Sequence, residues 1–191
     1  MEAFESFVAV ALEAEDFVVS GGVKFRVRLP TRKAAYTEEQ THGYEVDLVG
    51  ARSDCLVLVS VKSAFGSRGV VAEHVTGEDE RGSRLYRLLN DEVVRTRVVA
   101  AAAERYGYRV QQVQLRLYVG RFSGRRAGEH EQRVRAWAAE QRVGAGPIVV
   151  VGVKDLAGTV REAAGDTQYR DSTVLATLKA LQEAGQLVER A

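Results

Sequence analysis

This 191-residue chain has a single cysteine, Cys55. One thiol excludes an internal disulfide and a cysteine-based metal cluster. Cys55 stands at the start of an apolar run, where it reads as a small core residue, and a reducing, intracellular setting is compatible with it. No apolar run approaches the ~20 residues needed to span a bilayer, so no membrane partner is expected. The opening Met1-Glu2-Ala3-Phe4-Glu5 is acidic where a secretory signal would be basic. Excess charge is missing too: 27 Lys and Arg oppose 26 Asp and Glu, for a formal net charge of +1. A global pull on nucleic acid is thereby excluded, and any such binding must rest on local patches. No P-loop, dinucleotide fingerprint, Ser-His-Asp signature or paired-cysteine motif is present. His42, His74 and His130 lack metal-ligand spacing and read as surface residues in or near loops. Asn, Met and Ile are scarce beside abundant Ala, Val, Arg and Gly, as in a GC-rich coding sequence. A cytoplasmic protein of bacterial or phage origin is expected.

What remains is an ordinary globular composition, 46% hydrophobic and 28% charged, sized for one domain with a small appendage. Residues 2–14 predict a helix with Phe4, Phe7, Val8, Ala11 and Leu12 as its stripe. Gly21-Gly22 signals a turn, and Val23, Phe25 and Val27 alternate with Lys24, Arg26 and Arg28 as a strand with a basic outer face. Residues 30–43 read as a loop, 64–82 as a long linker, and 83–106 as one long helix capped by Ser83 and stopped at Gly107. A strand over 108–120, a Gly/Arg-rich loop over 121–128, a helix over 129–142 and a strand over 148–151 follow. This order suits an α/β fold around a mixed sheet. Helices over 155–164 and 172–184 close the chain.

Two runs stand out. Gly43 to Gly50 and Leu56 to Ser63 read as adjacent strands, at about 44–50 and 55–62, carrying charge where buried strands are apolar. Strand side chains alternate, so Glu45 and Asp47 should share one face, as should Ser60 and Lys62. Leu56, Val57, Leu58, Val59 and Val61 suit a strand buried on both faces. A lysine ending such a strand needs a partner or a task. Acids on one strand and a lysine on the next make a candidate site for a divalent cation and a phosphate. The competing reading is a structural ion pair at a sheet edge.

The pattern resembles the PD-(D/E)xK nuclease superfamily. Asp47 matches the first acid, Ser60-Val61-Lys62 occupies the acid-x-Lys slot, and Glu5 lies on the first helix. Val61-Lys62-Ser63 is similar to the Val-Lys-Ser ending of resolvase-like members. The resemblance implies a restriction-endonuclease-like three-layer core over 1–152, with a mixed central sheet flanked by helices, and a helical extension over 153–191. It further implies a nuclease that hydrolyses DNA phosphodiesters with Mg²⁺ or Mn²⁺, as a homodimer. Catalysis would fall to Asp47, Lys62, Glu5 and Ser60. The metal would be held by Asp47, Glu5, the Val61 carbonyl and Glu45, with Glu2 a rival to Glu5. The departure is Ser60, which stands where the family has Asp or Glu. A hydroxyl is a poor replacement for a carboxylate on a hard cation. Either Glu45 supplies the missing acid, or metal binding is weakened or lost and the chain is an inactive module that binds nucleic acid or a protein.

Arg121, Arg125 and Arg126, with Phe122 among them, and Arg68 after the motif are candidate phosphate contacts. The default for such a charged run is a solvated loop. The C-terminal phrase around Leu175, Leu178, Leu181 and Leu187 looks like the second helix of a winged-helix DNA reader.

Overall fold

The computed structural model describes residues 2–30, 39–165 and 172–187. Helix α1 (Ala3–Ala14) leads into β1 (Val18–Pro30), β2 (Glu39–Arg52) and β3 (Cys55–Lys62). The short helices α2 (Ala72–Thr76) and α3 (Arg87–Asn90) precede α4 (Glu92–Tyr106) and β4 (Val113–Val119). Helix α5 (Ala127–Glu140), the two-residue strands β5 (Arg142–Val143) and β6 (Gly146–Pro147), β7 (Val149–Gly152), α6 (Val153–Gly165) and α7 (Thr173–Glu183) complete the order. The main sheet has five strands in the order β1-β2-β3-β4-β7. The first three are antiparallel, and β3, β4 and β7 are parallel. The expected α/β architecture with a mixed central sheet is therefore present.

Helices cover both faces. Leu48, Val57, Val59 and Tyr118 pack under α1, α6 and α7 with Phe4, Val8, Leu12, Leu156, Val160 and Leu175. Leu56, Leu58, Leu115 and Leu117 pack under α2 to α5 with Val75, Leu89, Val98 and Val134. Strand β3 thus sends alternate apolar residues into two separate cores, which explains its unbroken hydrophobic run. Truncating one of these residues, as in Leu58→Ala, would cost about 2–5 kcal/mol through lost transfer energy and a cavity. Among the described residues, no helix is long and apolar enough to cross a membrane.

Several elements differ from the sequence expectations. Residues 39–43 of the expected loop belong to β2, whose pairing with β1 reaches Pro30↔Glu39; residues 31–38 lie outside the described residues. Strand β1 runs straight through Gly21-Gly22, with Gly22 at φ +62. The long linker holds α2, because Val70, Ala72 and Val75 are buried and demand a packed conformation. The single helix over 83–106 is a 3₁₀ turn (Gly82–Tyr86), α3 and α4. Asp91 breaks it: its side chain accepts the Val94 N–H at 3.1 Å and caps α4. Ser83 caps nothing and instead donates its hydroxyl to the Asp79 carbonyl. Leu85 and Val93, whose spacing with Leu88 and Leu89 suits the apolar face of one continuous helix, are exposed. The strand over 108–120 starts only at Val113, after a 3₁₀ turn, and Tyr118, which alternation groups with Arg116 and Gln114 on a polar face, is buried.

Candidate active site at the strand fork

The β2–β3 ladder runs from Arg52↔Cys55 to Leu48↔Val59 and stops. Beyond it β2 stays with β1, while β3 stays with β4 up to Lys62↔Val119. The sheet forks, and Asp47 is the first residue past the last pair. Its Oδ2 accepts the Val61 N–H at 2.6 Å and lies 3.5 Å from Ser60 Oγ and 3.8 Å from Lys62 Nζ. The carboxylate takes the N–H that a continuing ladder would have paired with β2.

A local slip in alternation produces this placement. Val46 and Val49 both pack in the α4 core, whereas Leu48 between them packs in the α1 core. On β1, Val19 packs toward α1, but Val23, Phe25, Val27 and Leu29 face the other core. Between them sits Gly22 with φ +62, a conformation glycine adopts without steric cost. Glu45 and Asp47 consequently do not act as one same-face pair. Glu45 forms an ion pair with Lys24 at 3.4 Å, both well exposed, while Asp47 turns to β3. The two nevertheless border one open cleft of about 470 Å³ together with Glu2, Glu5, Gly21 and Gly22. Glu5 accepts the Glu2 backbone N–H at 2.9 Å and so closes the start of α1. Asp47 and Glu45 also border a smaller hollow of about 70 Å³ with Ser60, Lys62, Leu85 and Leu88.

Lys62 is about a quarter exposed and sits 5.8 Å from the centre of the Tyr86 ring. Burial pushes the Tyr86 phenol up to about 12, so it stays neutral beside the ammonium. Ser60 is buried. Val61 pairs with Tyr118 on β4. The oxygen donors around the cleft are of the kind a hard cation takes. They do not converge, however: among the described residues no group of three or more His, Cys, Asp or Glu could hold a metal ion.

The basic candidates follow the ends of the parallel strands. After Lys62 the chain turns at Ala64, a non-glycine residue at φ +51. The following loop is then laid against the one after β4. Val70 N–H donates to Arg121 O and Ser123 N–H to Val70 O, both at 2.9 Å. This brings the exposed Arg68 loop beside the exposed Arg121; Arg125 and Arg126 are exposed further along, and Arg126 lies 3.9 Å from Glu129. Phe122, the aromatic expected among these arginines, is buried in the core. The exposed ring is Phe65, which the sequence reading passed over; a large apolar residue just after the motif was its only signal.

Other residues found new roles. His130 is mostly buried, accepts the Ala72 N–H at 3.3 Å and lies 3.7 Å from Glu73. It ties α5 to α2 and is no surface residue. His74 lies on α2 and pairs with Asp79 at 3.0 Å. His42 is exposed on β2. On α7 Leu175 is buried against α1 and α6, while Leu181 and Leu187 are exposed. The connection over 166–171, on which a helix-turn-helix reading depends, lies outside the described residues. No protein-family model matches the chain, and no curated protein matches it. The crystal structure of a protein of unknown function, AF1548, aligns with 96% of this chain and 77% of its own, at 16% identity and a TM-score of 0.39.

Proposed function

We propose that this chain is a nuclease of the PD-(D/E)xK kind, hydrolysing phosphodiester bonds of nucleic acid, DNA first, at Asp47 and Lys62. The observation that supports it is the placing of Asp47 against Ser60, Val61 and Lys62 at the fork. There the C-terminal end of a parallel strand opens on an acid-lined cleft, with basic loops following β3 and β4. Ligands in open α/β sheets favour such strand ends.

In this reading Lys62 holds a fixed positive charge for a phosphate oxygen and orients the attacking water. The buried, neutral Tyr86 and the Asp47 carboxylate keep that ammonium in place. Mg²⁺ or Mn²⁺, held by Asp47 with Glu5 or Glu45, would supply Lewis-acid stabilisation of phosphate charge. The scattered donors suit an ion that keeps most of its waters and takes oxygens from substrate, as Mg²⁺ commonly does. Arg68, Arg121, Arg125 and Arg126 would contact the backbone.

A second reading has its own observations. Ser60 fills the acid position, and Asp47, Glu45 and Glu5 are each already engaged by Val61 and Lys62, Lys24, and the Glu2 N–H. An inactive nucleic-acid-binding or protein-binding module fits these facts. Cleavage of a mixed panel of DNA and RNA substrates in EDTA, Mg²⁺ and Mn²⁺ separates the two. Metal-dependent cutting that Lys62→Ala lowers by at least ~100-fold is expected. No cutting by metal-loaded wild type at high concentration would leave the binding module.

A further inference from the structure

We infer that Phe65 is a stacking platform for an unpaired base, so that the preferred substrate carries single-stranded nucleotides at the fork rather than continuous duplex. The inference rests on the nucleic-acid reading above and deepens it.

Phe65 is 54% exposed, although a ring of this size gains much from burial. It is also held in place. Its ring meets Phe4 of α1 edge to face, with centroids 5.2 Å apart at 85°. On another side it closes on Gly120, where an added Cβ would stand 2.7 Å from the Phe65 ring and 2.3 Å from Ser63 O. Gly120 N–H donates to Lys62 O at 2.9 Å, so the ring's support is tied to the lysine's own backbone. Phe65 stands between Lys62 and the exposed Arg68, on the loop laid beside Arg121.

An exposed ring backed by Phe4 and three residues from both Lys62 and Arg68 suits a particular partner. In continuous duplex the base faces are stacked inside and phosphates are what the outside offers. An unpaired strand offers both phosphates and a π face, and aromatic stacking recognises that face whatever the base. The net charge of +1 gives no general attraction to duplex, so a local combination of ring and arginines decides in favour of the single strand.

The test is binding of the full chain in EDTA, which separates it from cleavage. Fluorescence anisotropy would compare labelled single-stranded DNA, the same strand with abasic sites, and blunt duplex. Wild type should prefer the intact strand to duplex. Phe65→Leu, which keeps an apolar contact to Phe4, should weaken single-strand binding on the order of tenfold. Phe65→Trp should retain it. Abasic sites should weaken wild type by a similar factor and leave Phe65→Leu unchanged. Equal binding of intact and abasic strands overturns the inference, as does an equal loss by Phe65→Leu on strand and duplex, which would make Phe65 a structural pin. Either result leaves the nuclease reading intact. Stacking without metal-dependent cleavage would sustain the inference and sink the nuclease. Binding of none of the three probes in EDTA would overturn the inference and leave the nuclease reading to the metal-dependent cleavage test.

Discussion

Glu15 and Arg116 meet just past the C-terminal end of α1; Asp47 and Lys62 meet near the cleft at its N-terminal end. Arg116 Nη1 is 2.8 Å from each carboxylate oxygen of Glu15. Its Nε donates to Gln114 at 2.8 Å, Nη1 reaches the Tyr118 hydroxyl at 3.3 Å, and the guanidinium lies 5.4 Å from the Phe17 ring centre. Burial works against its charge, yet Tyr118 and Glu15 hold the Arg116 pKa above the ordinary arginine value. Asp47 and Lys62 have longer contact, fewer partners and two adjoining cavities. The Arg116 guanidinium is 13% exposed and bonded through Nε and Nη1, since a buried charge left short of partners is expensive, while Glu15 beside it is 39% exposed. A pair that must meet a substrate keeps room beside it. The difference between the two pairs, rather than the presence of charge on a strand, marks the fork as the candidate site.

The comparison can be broken by exchanging the expected losses. Arg116→Met should destabilise by about 3 kcal/mol in urea unfolding, toward the low end for a buried pair because Glu15 can partly rehydrate. Asp47→Ala should cost about 1 kcal/mol, mainly for the Val61 N–H it leaves without an acceptor. On the proposed nuclease reading, cleavage at a temperature where both variants are folded should show the reverse order, with Asp47→Ala the more impaired. If Asp47→Ala destabilises as much as Arg116→Met and cuts normally, Asp47 is a second structural acid.

The sheet and its two cores were legible because β3 writes its environment plainly: Leu56 to Val59 are apolar on both parities, and both parities are buried. Asp47 and Lys62 were legible for the converse reason, as charges where apolar residues belong. The slip at Gly22 was not, since a glycine pair signals a turn as readily as a strand that changes face. Without the slip, strict alternation puts Glu45 beside Asp47, and the Lys24 partner is missed. Asp91 was lost inside an apparent helix because its apolar neighbours keep helical spacing across the break. Phe122, expected among the exposed arginines, is buried, and the exposed Phe65 went unnoticed, since a ring in a loop carries no periodicity to say which way it faces. Ser60, in the position of the second acid, was read as a deficiency, and its burial at 3.5 Å from Asp47 makes the deficiency testable.

Ser60→Asp sharpens the contrast by rebuilding the acid-x-Lys pattern. Without a cation, a second carboxylate against Asp47 in a buried position should cost about 2 kcal/mol, through desolvation and like-charge repulsion. A divalent ion relieves that repulsion and binds only the folded chain, so saturating Mg²⁺ should offset the loss, contributing about 2.7 kcal/mol at a hundredfold excess over Kd. Thermal melts with and without Mg²⁺ read this directly. A larger Mg²⁺ shift for Ser60→Asp than for wild type is the expected outcome. Equal shifts would mean that the fork does not hold a cation through this position.

Asp91 supplies the smallest and cleanest contrast, because it resembles Asp47 in contacts and differs in task. Asp47 caps a ladder; Asp91 caps a helix, accepting Val94 N–H at 3.1 Å and bonding Arg87 at 2.8 and 3.1 Å. Burial raises its pKa, but the Arg87 hydrogen bonds and the Val94 N–H outweigh burial and hold it below the ordinary aspartate value. A carboxyl depressed in the fold contributes stability above its unfolded pKa, about 3.9, and the contribution disappears as pH falls through the folded value. Asp91→Ala should therefore cost about 1 kcal/mol at neutral pH, the usual worth of an N-cap. The gap from wild type should narrow below about pH 4 and be smallest once the folded carboxyl is protonated. Cleavage at neutral pH should not change, since Asp91 borders neither cavity of the fork. A stability gap independent of pH would mean that the charge of Asp91 is idle and packing alone sets its cost. A loss of cleavage in the folded variant would extend the site along α3 to the start of α4, and the division between structural and functional acids drawn here would have to move with it.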